Sequence, residues 1–193
     1  MGSDRSPGMR RAVFLDRDGV LNRNVWNPAT RQDESPLTPE QFELLPDVLP
    51  ALRLLSDAGY LLFLVSNQPN YAKGKASMDM LNAIHCRLET ALTEAEISFA
   101  AFYYCFHRPE FTGECICRKP SSYFLFQARD SFGIDLTASW MVGDRPTDIE
   151  CGRAAGTRTI EISDPAVSPS LPKTKADYAA AGLWSAAKII MSS

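Results

Sequence analysis

Five short runs, each mostly apolar, each too short for a helix and each closing on polar or charged residues, constrain the fold more than any other feature. Ala12-Val-Phe-Leu15 runs straight into Asp16, and Leu61-Leu-Phe-Leu-Val65 ends at Ser66-Asn67. Ala101-Phe-Tyr-Tyr104, Trp140-Met-Val142 and Thr159-Ile-Glu-Ile162 are the other three. Such runs read as strands buried on both faces, the signature of a parallel sheet.

The stretches between them carry helical spacing. Asp47 to Ala58 sets Val48, Leu49, Leu52 and Leu55 on one face and stops at Gly59. Ser77 can cap a helix presenting Met80, Leu81, Ile84, Leu88 and Leu92. Phe124–Phe132 and Thr147–Ala155 are two more helices, each followed by a glycine. Ala176–Tyr178 reads as a short edge strand, followed by a helix from Leu183 to Met191. Alternating strand and helix predict an α/β, Rossmann-like fold: a doubly wound, mainly parallel sheet covered on both faces. Ligands in such folds bind beyond the carboxyl ends of the strands.

That is where the reactive side chains stand. Asp16 and Asp18 follow the first strand, Ser66 and Asn67 the second, Cys105 and His107 the third, and Asp144 the fourth. Two carboxylates one residue apart repel unless a cation neutralises them. A turn in which each Asp accepts backbone hydrogen bonds, or a calcium site, would use the same Asp-x-Asp-Gly pattern. Asp144, in Gly143-Asp144-Arg-Pro-Thr-Asp148, stands where it can share an ion with Asp16, and hard oxygen ligands beside a phosphate suit Mg²⁺.

Composition limits the partners. With 193 residues and a net charge of −3, the chain has no general attraction to nucleic acid or anionic membranes. No apolar run reaches membrane-span length, and the start lacks the apolar stretch of a signal peptide, so the expected setting is cytoplasmic. Residues 1–10 are expected to be a flexible lead-in and 11–193 a single domain, with no association stripe and hence a monomer. Cys105-x-His107 and Cys115-x-Cys117 supply three thiolates and an imidazole. This is a closed tetrahedral Zn²⁺ set, structural because no position is left for water. Lys119 lies two residues after Cys117, so zinc would fix the loop that presents Arg118 and Lys119.

Asp16-x-Asp18-Gly19, Ser66, Lys119 and Gly143-Asp144-x-x-x-Asp148 resemble, in order and spacing, the four motifs of the haloacid dehalogenase-like phosphohydrolases. The resemblance implies that Asp16 attacks phosphorus and that Asp18 is general acid, then general base. It implies Mg²⁺ held by Asp16, Asp144 and the Asp18 carbonyl, with Ser66 and Lys119 steadying the phosphoryl group and Asp148 in support. Phe14 to Asn22, Tyr104-Cys-x-His107, Cys117-Arg-Lys-Pro120 and Val142-Gly-Asp144 resemble a narrower, zinc-containing subgroup that lacks a large cap domain. That subgroup holds the heptose bisphosphate phosphatases and the histidinol-phosphate phosphatases. Its substrate contacts carry over to Asn24, Val25, Trp26 and Asn27, to Asn67, Gln68 and Pro69, and to Arg118 and Arg145. Pro69-Asn70-Tyr71 departs from the Ser-Gly usual after Asn-Gln in the heptose enzymes. The expected partner is a small phosphate ester, a heptose bisphosphate first and histidinol phosphate second. A nucleic-acid 3′-phosphatase and an inactive zinc-binding module are the remote alternatives.

Overall fold

The computed structural model describes residues 9–163 and 174–193. Strand β1, Ala12–Leu15, is buried at every position, as an interior strand must be. After it the chain forms a small hairpin of β2, Val25–Asn27, and β3, Gln32–Glu34. Helix α1, Val48–Asp57, returns the chain to β4, Leu61–Asn67. Helix α2, Met78–Glu94, leads to β5, Ala101–Cys105; Ser77 Oγ accepts from Met80 N at 3.2 Å, which caps the helix as expected.

A loop holding the short α3, Pro109–Thr112, precedes α4, Tyr123–Phe132, and β6, Trp140–Gly143. Helix α5, Pro146–Ala155, strand β7, Arg158–Ile162, strand β8, Tyr178–Ala180, and helix α6, Leu183–Met191, complete the described chain. The main sheet has six strands in the order β5-β4-β1-β6-β7-β8, and every pairing in it is parallel. The chain winds outward from β1 on one side through β4 and β5, then crosses to β6 on the other. The crevice therefore opens at the carboxyl ends of β1 and β6.

Two apolar layers follow from the period of two along each strand. Val13, Leu15, Leu62, Leu64, Trp140, Val142 and Ile160 pack with residues of α1, α2 and α6 on one face. Ala12, Phe14, Phe63, Val65 and Met141 pack with residues of α4 and α5 on the other. The sheet is thus doubly wound, as the sequence predicts, and the segments between its elements leave no room for a large cap.

Three local features differ from expectation. The β2–β3 hairpin carries no sequence signal strong enough to announce it, because Pro28-Ala29-Thr30-Arg31 is not a tight-turn pair. The edge strand expected over Ala176–Tyr178 forms two residues later. The Asp177 carboxylate accepts from Thr159 N at 2.8 Å and Thr159 Oγ1 at 2.7 Å, a side-chain bond in place of a ladder bond. Of the expected lead-in, 1–8 lie outside the described residues, whereas Arg10 is tied to the end of α4. Its N donates to Gly133 O at 2.9 Å and its side chain to Phe132 O.

Candidate active site

Asp16 directly follows β1 and Asp144 directly follows β6, so the neighbouring strands deliver two buried carboxylates to one spot. Asp148 joins them from the first turn of α5, where its Oδ2 accepts from Arg145 N at 3.0 Å. Carboxylate oxygens from Asp16, Asp144 and Asp148 lie within 4.8 Å of one another. Two glycines allow this approach. A Cβ on Gly19 would overlap the Asp144 carboxylate, and one on Gly143 would overlap the Asp148 side chain. Gly19 also takes φ +84°, which disfavours any other residue.

Among the described residues Lys119 is the cation buried inside this group, and the half-exposed Arg145 lies 3.9 Å from Asp144 at its edge. The Lys119 ammonium is 2.9 Å from Asp16 Oδ1 and 2.7 Å from Asp148 Oδ1, and it donates to Val65 O at 2.6 Å. Burial opposes its charge, but Asp148 and Asp16 outweigh that and hold its pKa above the ordinary value. Asn67 sets its position from β4: Asn67 Oδ1 accepts from Lys119 N and Nδ2 donates to Lys119 O, both at 3.1 Å.

One lysine does not balance three carboxylates. Both oxygens of Asp144 are buried with no hydrogen-bond partner among the described residues. Burial, then Asp16 and Asp148, push Asp144 well above the carboxylate range despite Arg145 and Lys119. Burial likewise lifts Asp148 to about 6, against Lys119. Buried hard oxygens short of positive charge could hold a Mg²⁺ ion.

Asp18 lines the same cleft but has different partners. Its carboxylate receives Arg17, Asn22 and Gln68, and although burial would raise its pKa, Arg17 and the hydrogen bonds bring it below the ordinary value. Ser66, also buried, accepts from Gln68 Nε2 at 3.0 Å at the end of β4.

Asp16, Asp18, Asp148 and Lys119 line a cleft of about 400 Å³. Of the expected substrate contacts, Asn67, Pro69, Arg118 and Arg145 reach this cleft. Val25, Trp26 and Asn27 do not; they line an adjoining hollow that shares Glu34 and Ser35 with the cleft. Asn24 is buried with its Nδ2 against Gly19, and Gln68 is committed to Asp18 and Ser66. The hairpin instead sends Gln32 through Ser35 to the cleft wall. Sequence reading also missed Lys73 and Arg108 on that wall; both are ordinary surface cations by composition, and only the loop path gathers them.

Beside the cleft, Cys105, His107, Cys115 and Cys117 converge. Sulfur–sulfur separations are 3.8, 3.8 and 3.2 Å, and His107 Nδ1 lies 3.7 and 3.4 Å from Cys105 and Cys117. A tetrahedron with bonds of about 2.3 Å has edges of about 3.8 Å, so the set could hold zinc. Burial, then Cys117, push the Cys105 thiol up to about 12, a cost that a bound cation would reverse.

Comparison with known proteins agrees with this geometry. A family model described as HAD-hydrolase-like matches residues 116–184. The chain is 39% identical over 162 residues, 79% of each chain, to D-glycero-D-manno-heptose-1,7-bisphosphate 7-phosphatase of Thermosynechococcus vestitus. It is 38% identical to D-glycero-beta-D-manno-heptose-1,7-bisphosphate 7-phosphatase of Haemophilus influenzae over 76% of this chain and 78% of that one. The chain belongs to the haloacid dehalogenase-like phosphatases. Among solved structures of this family, D,D-heptose 1,7-bisphosphate phosphatase from B. bronchiseptica, complexed with magnesium and phosphate, superposes with TM-score 0.79. That likeness covers 94% of this chain and 98% of that one at 26% identity. Phosphatase chemistry in this family thus fits the cleft: a strand-end carboxylate, a lysine and an ion-deficient acidic group.

Proposed function

We propose that the protein releases the 7-phosphate of a D-glycero-D-manno-heptose 1,7-bisphosphate in a Mg²⁺-dependent reaction through a phospho-aspartate on Asp16. The observation that carries the chemistry is the buried Asp16–Lys119–Asp148 group beside Asp144, whose buried oxygens accept no hydrogen bond among the described residues. Asp16 and Asp144, with the Asp18 carbonyl, would hold Mg²⁺, which when bound neutralises phosphoryl charge. Asp16 attacks phosphorus while Asp18 gives a proton to the leaving oxygen. Asp18 then takes a proton from the water that hydrolyses the intermediate. Lys119 and Ser66 steady charge on the transferring group, with Ser66 Oγ also accepting from Gln68 Nε2. Asp148 and Asn67 serve as positioning residues for Lys119.

The cations on the cleft wall favour a substrate with a second anionic group. Burial first, then Arg108 and Lys75, lower the Lys73 pKa against Glu34, which records cations crowded on that wall even though Lys75 pairs with Glu34 and Arg108 with Glu110. A second phosphate would relieve that crowding, whereas the cationic groups of histidinol phosphate would add to it. Zinc on Cys105, His107, Cys115 and Cys117 is structural in this reading, and holds Arg118 and Lys119 in place. The reading keeps the protein a cytoplasmic monomer. No described helix is long and apolar enough to cross a membrane.

Phosphate release with Mg²⁺ from heptose 1,7-bisphosphate and from histidinol phosphate, measured side by side, tests the assignment. Preference for the heptose ester, yielding heptose 1-phosphate, is expected, with activity abolished in Asp16→Asn. Equal or better turnover of histidinol phosphate would overturn the substrate; activity in Asp16→Asn would overturn the nucleophile.

A further inference from the structure

Arg17 stands between the two carboxylates of the Asp16-Arg17-Asp18-Gly19 turn, and none of the chemistry above uses it. Its exposure is 1%, rare for an arginine. It lies outside the phosphate cleft and borders a hollow on the far side, formed with Gln68, Met78, His85, Phe102 and Tyr104. Its guanidinium carbon is 6.0 Å from the Tyr104 ring centre.

From there Arg17 reaches its own neighbour. Nε and Nη2 donate to Asp18 Oδ1 at 3.1 and 3.0 Å, and Nη2 lies 3.2 Å from Oδ2. Asn22 Nδ2 donates to Oδ1 at 3.0 Å and Gln68 Nε2 to Oδ2 at 2.6 Å. The main chain is fixed as well, because the Arg17 carbonyl accepts from Leu21 N at 2.8 Å and Asn22 N at 3.1 Å. Both oxygens of Asp18 are therefore oriented by donors from three separate positions. The contrast with Asp144, one strand away and without a donor, is sharp.

A buried ion pair is a poor device for stability, since desolvating both charges offsets their attraction. Its value lies in fixing a direction. We propose that Arg17, aided by Gln68, is a positioning residue that holds the Asp18 carboxyl group toward the leaving oxygen during phosphoryl transfer. The inference rests on the reading of Asp18 as acid and base. In the first step the Asp16 oxygen bonds to phosphorus as the ester P–O bond breaks, and the Asp18 proton passes to the leaving oxygen. The carboxylate left behind meets donors already in place, so no rearrangement accompanies the developing charge. In the second step the oxygen of water bonds to phosphorus, its proton returns to Asp18, and the Asp16–phosphorus bond breaks.

Leaving-group dependence separates this role from a merely structural one. A good leaving group such as p-nitrophenolate departs without a proton, whereas an alkoxide needs one. Arg17→Met, Arg17→Lys, Asp18→Asn and the Arg17→Met/Asp18→Asn double variant are compared in kcat/KM on p-nitrophenyl phosphate and on a sugar phosphate. Arg17→Met is expected to lose at least about tenfold more activity on the sugar phosphate than on the aryl ester. Arg17→Lys should recover part of that loss, and the double variant should lose little beyond Asp18→Asn. Equal loss on both esters in Arg17→Met, with a selective loss in Asp18→Asn, would overturn the positioning role and leave the acid in place. A non-selective loss in Asp18→Asn would overturn the acid assignment and the inference with it. If Arg17→Met does not fold, Gln68→Met removes one donor from the same carboxylate and is read by the same ratio.

Discussion

Both side-chain oxygens of Asp144 are buried without a donor among the described residues, an arrangement that costs free energy until a cation arrives. Gly19 and Gly143 let three carboxylates crowd there, and Lys119 neutralises only part of their charge. Asp144→Asn removes one of the like charges. The metal-free variant should therefore be more stable than the parent. Its activity should fall by about 100-fold or more, because charge stabilisation is lost with the metal. Thermal unfolding in a metal chelator, with and without added Mg²⁺, checks this. A destabilised metal-free variant would show that Asp144 has a structural partner of its own. At this scale the sequence was informative: Asp16, Asp144, Asp148 and Lys119 are each marked by a strand end or a motif. The substrate contacts were less so, because Val25, Trp26 and Asn27 line the adjoining hollow instead.

At the scale of elements, the loop from β5 to α4 connects chemistry to scaffold. Cys105 is the last residue of β5, Cys117 stands two residues before Lys119, and between them lies only the single turn of α3. So short a helix cannot hold itself in water, and the loop needs an outside constraint. About one zinc per chain is expected in the native protein. Stripping it with a strong chelator should lower both the melting temperature and the activity, and restored zinc should return both. Native protein free of zinc yet fully active would end that account. The four candidate ligands were legible because soft side chains at Cys-x-His and Cys-x-Cys spacing have few other uses in a reduced protein. The β2–β3 hairpin was not, since its short strands carry no clean alternation.

For the whole molecule, the acidic cluster couples stability to pH and metal. Asp148 is raised to about 6, and Asp144 is raised as well. A folded metal-free chain therefore holds protons that the unfolded chain has already lost. The contribution of these groups is present below about pH 4 and is lost as pH rises toward and beyond about 6. Asp18 works in the opposite sense: its lowered pKa gives stability above its unfolded value that is lost in acid. The Mg²⁺-induced gain in melting temperature isolates the cluster, because metal competes with protons there. That gain should grow steadily from about pH 5 to about pH 7.5; a gain independent of pH would mean Mg²⁺ binds elsewhere.

The sequence by itself determined the alternating strands and helices, the strand-end carboxylates and the zinc-type ligand set. Each is a local pattern: burial on both faces of a strand, helical period, or ligand chemistry at short spacing. Only the tertiary structure decided which groups meet. Lys119 reaches Asp16 and Asp148 because β1 and β6 are neighbours and Asn67 on β4 pins its backbone. Arg17 turns inward to Asp18 because β4 and β5 place Gln68 and Tyr104 around it. Contacts between residues 50 and more positions apart depend on sheet order and loop path, which no local pattern in the chain records.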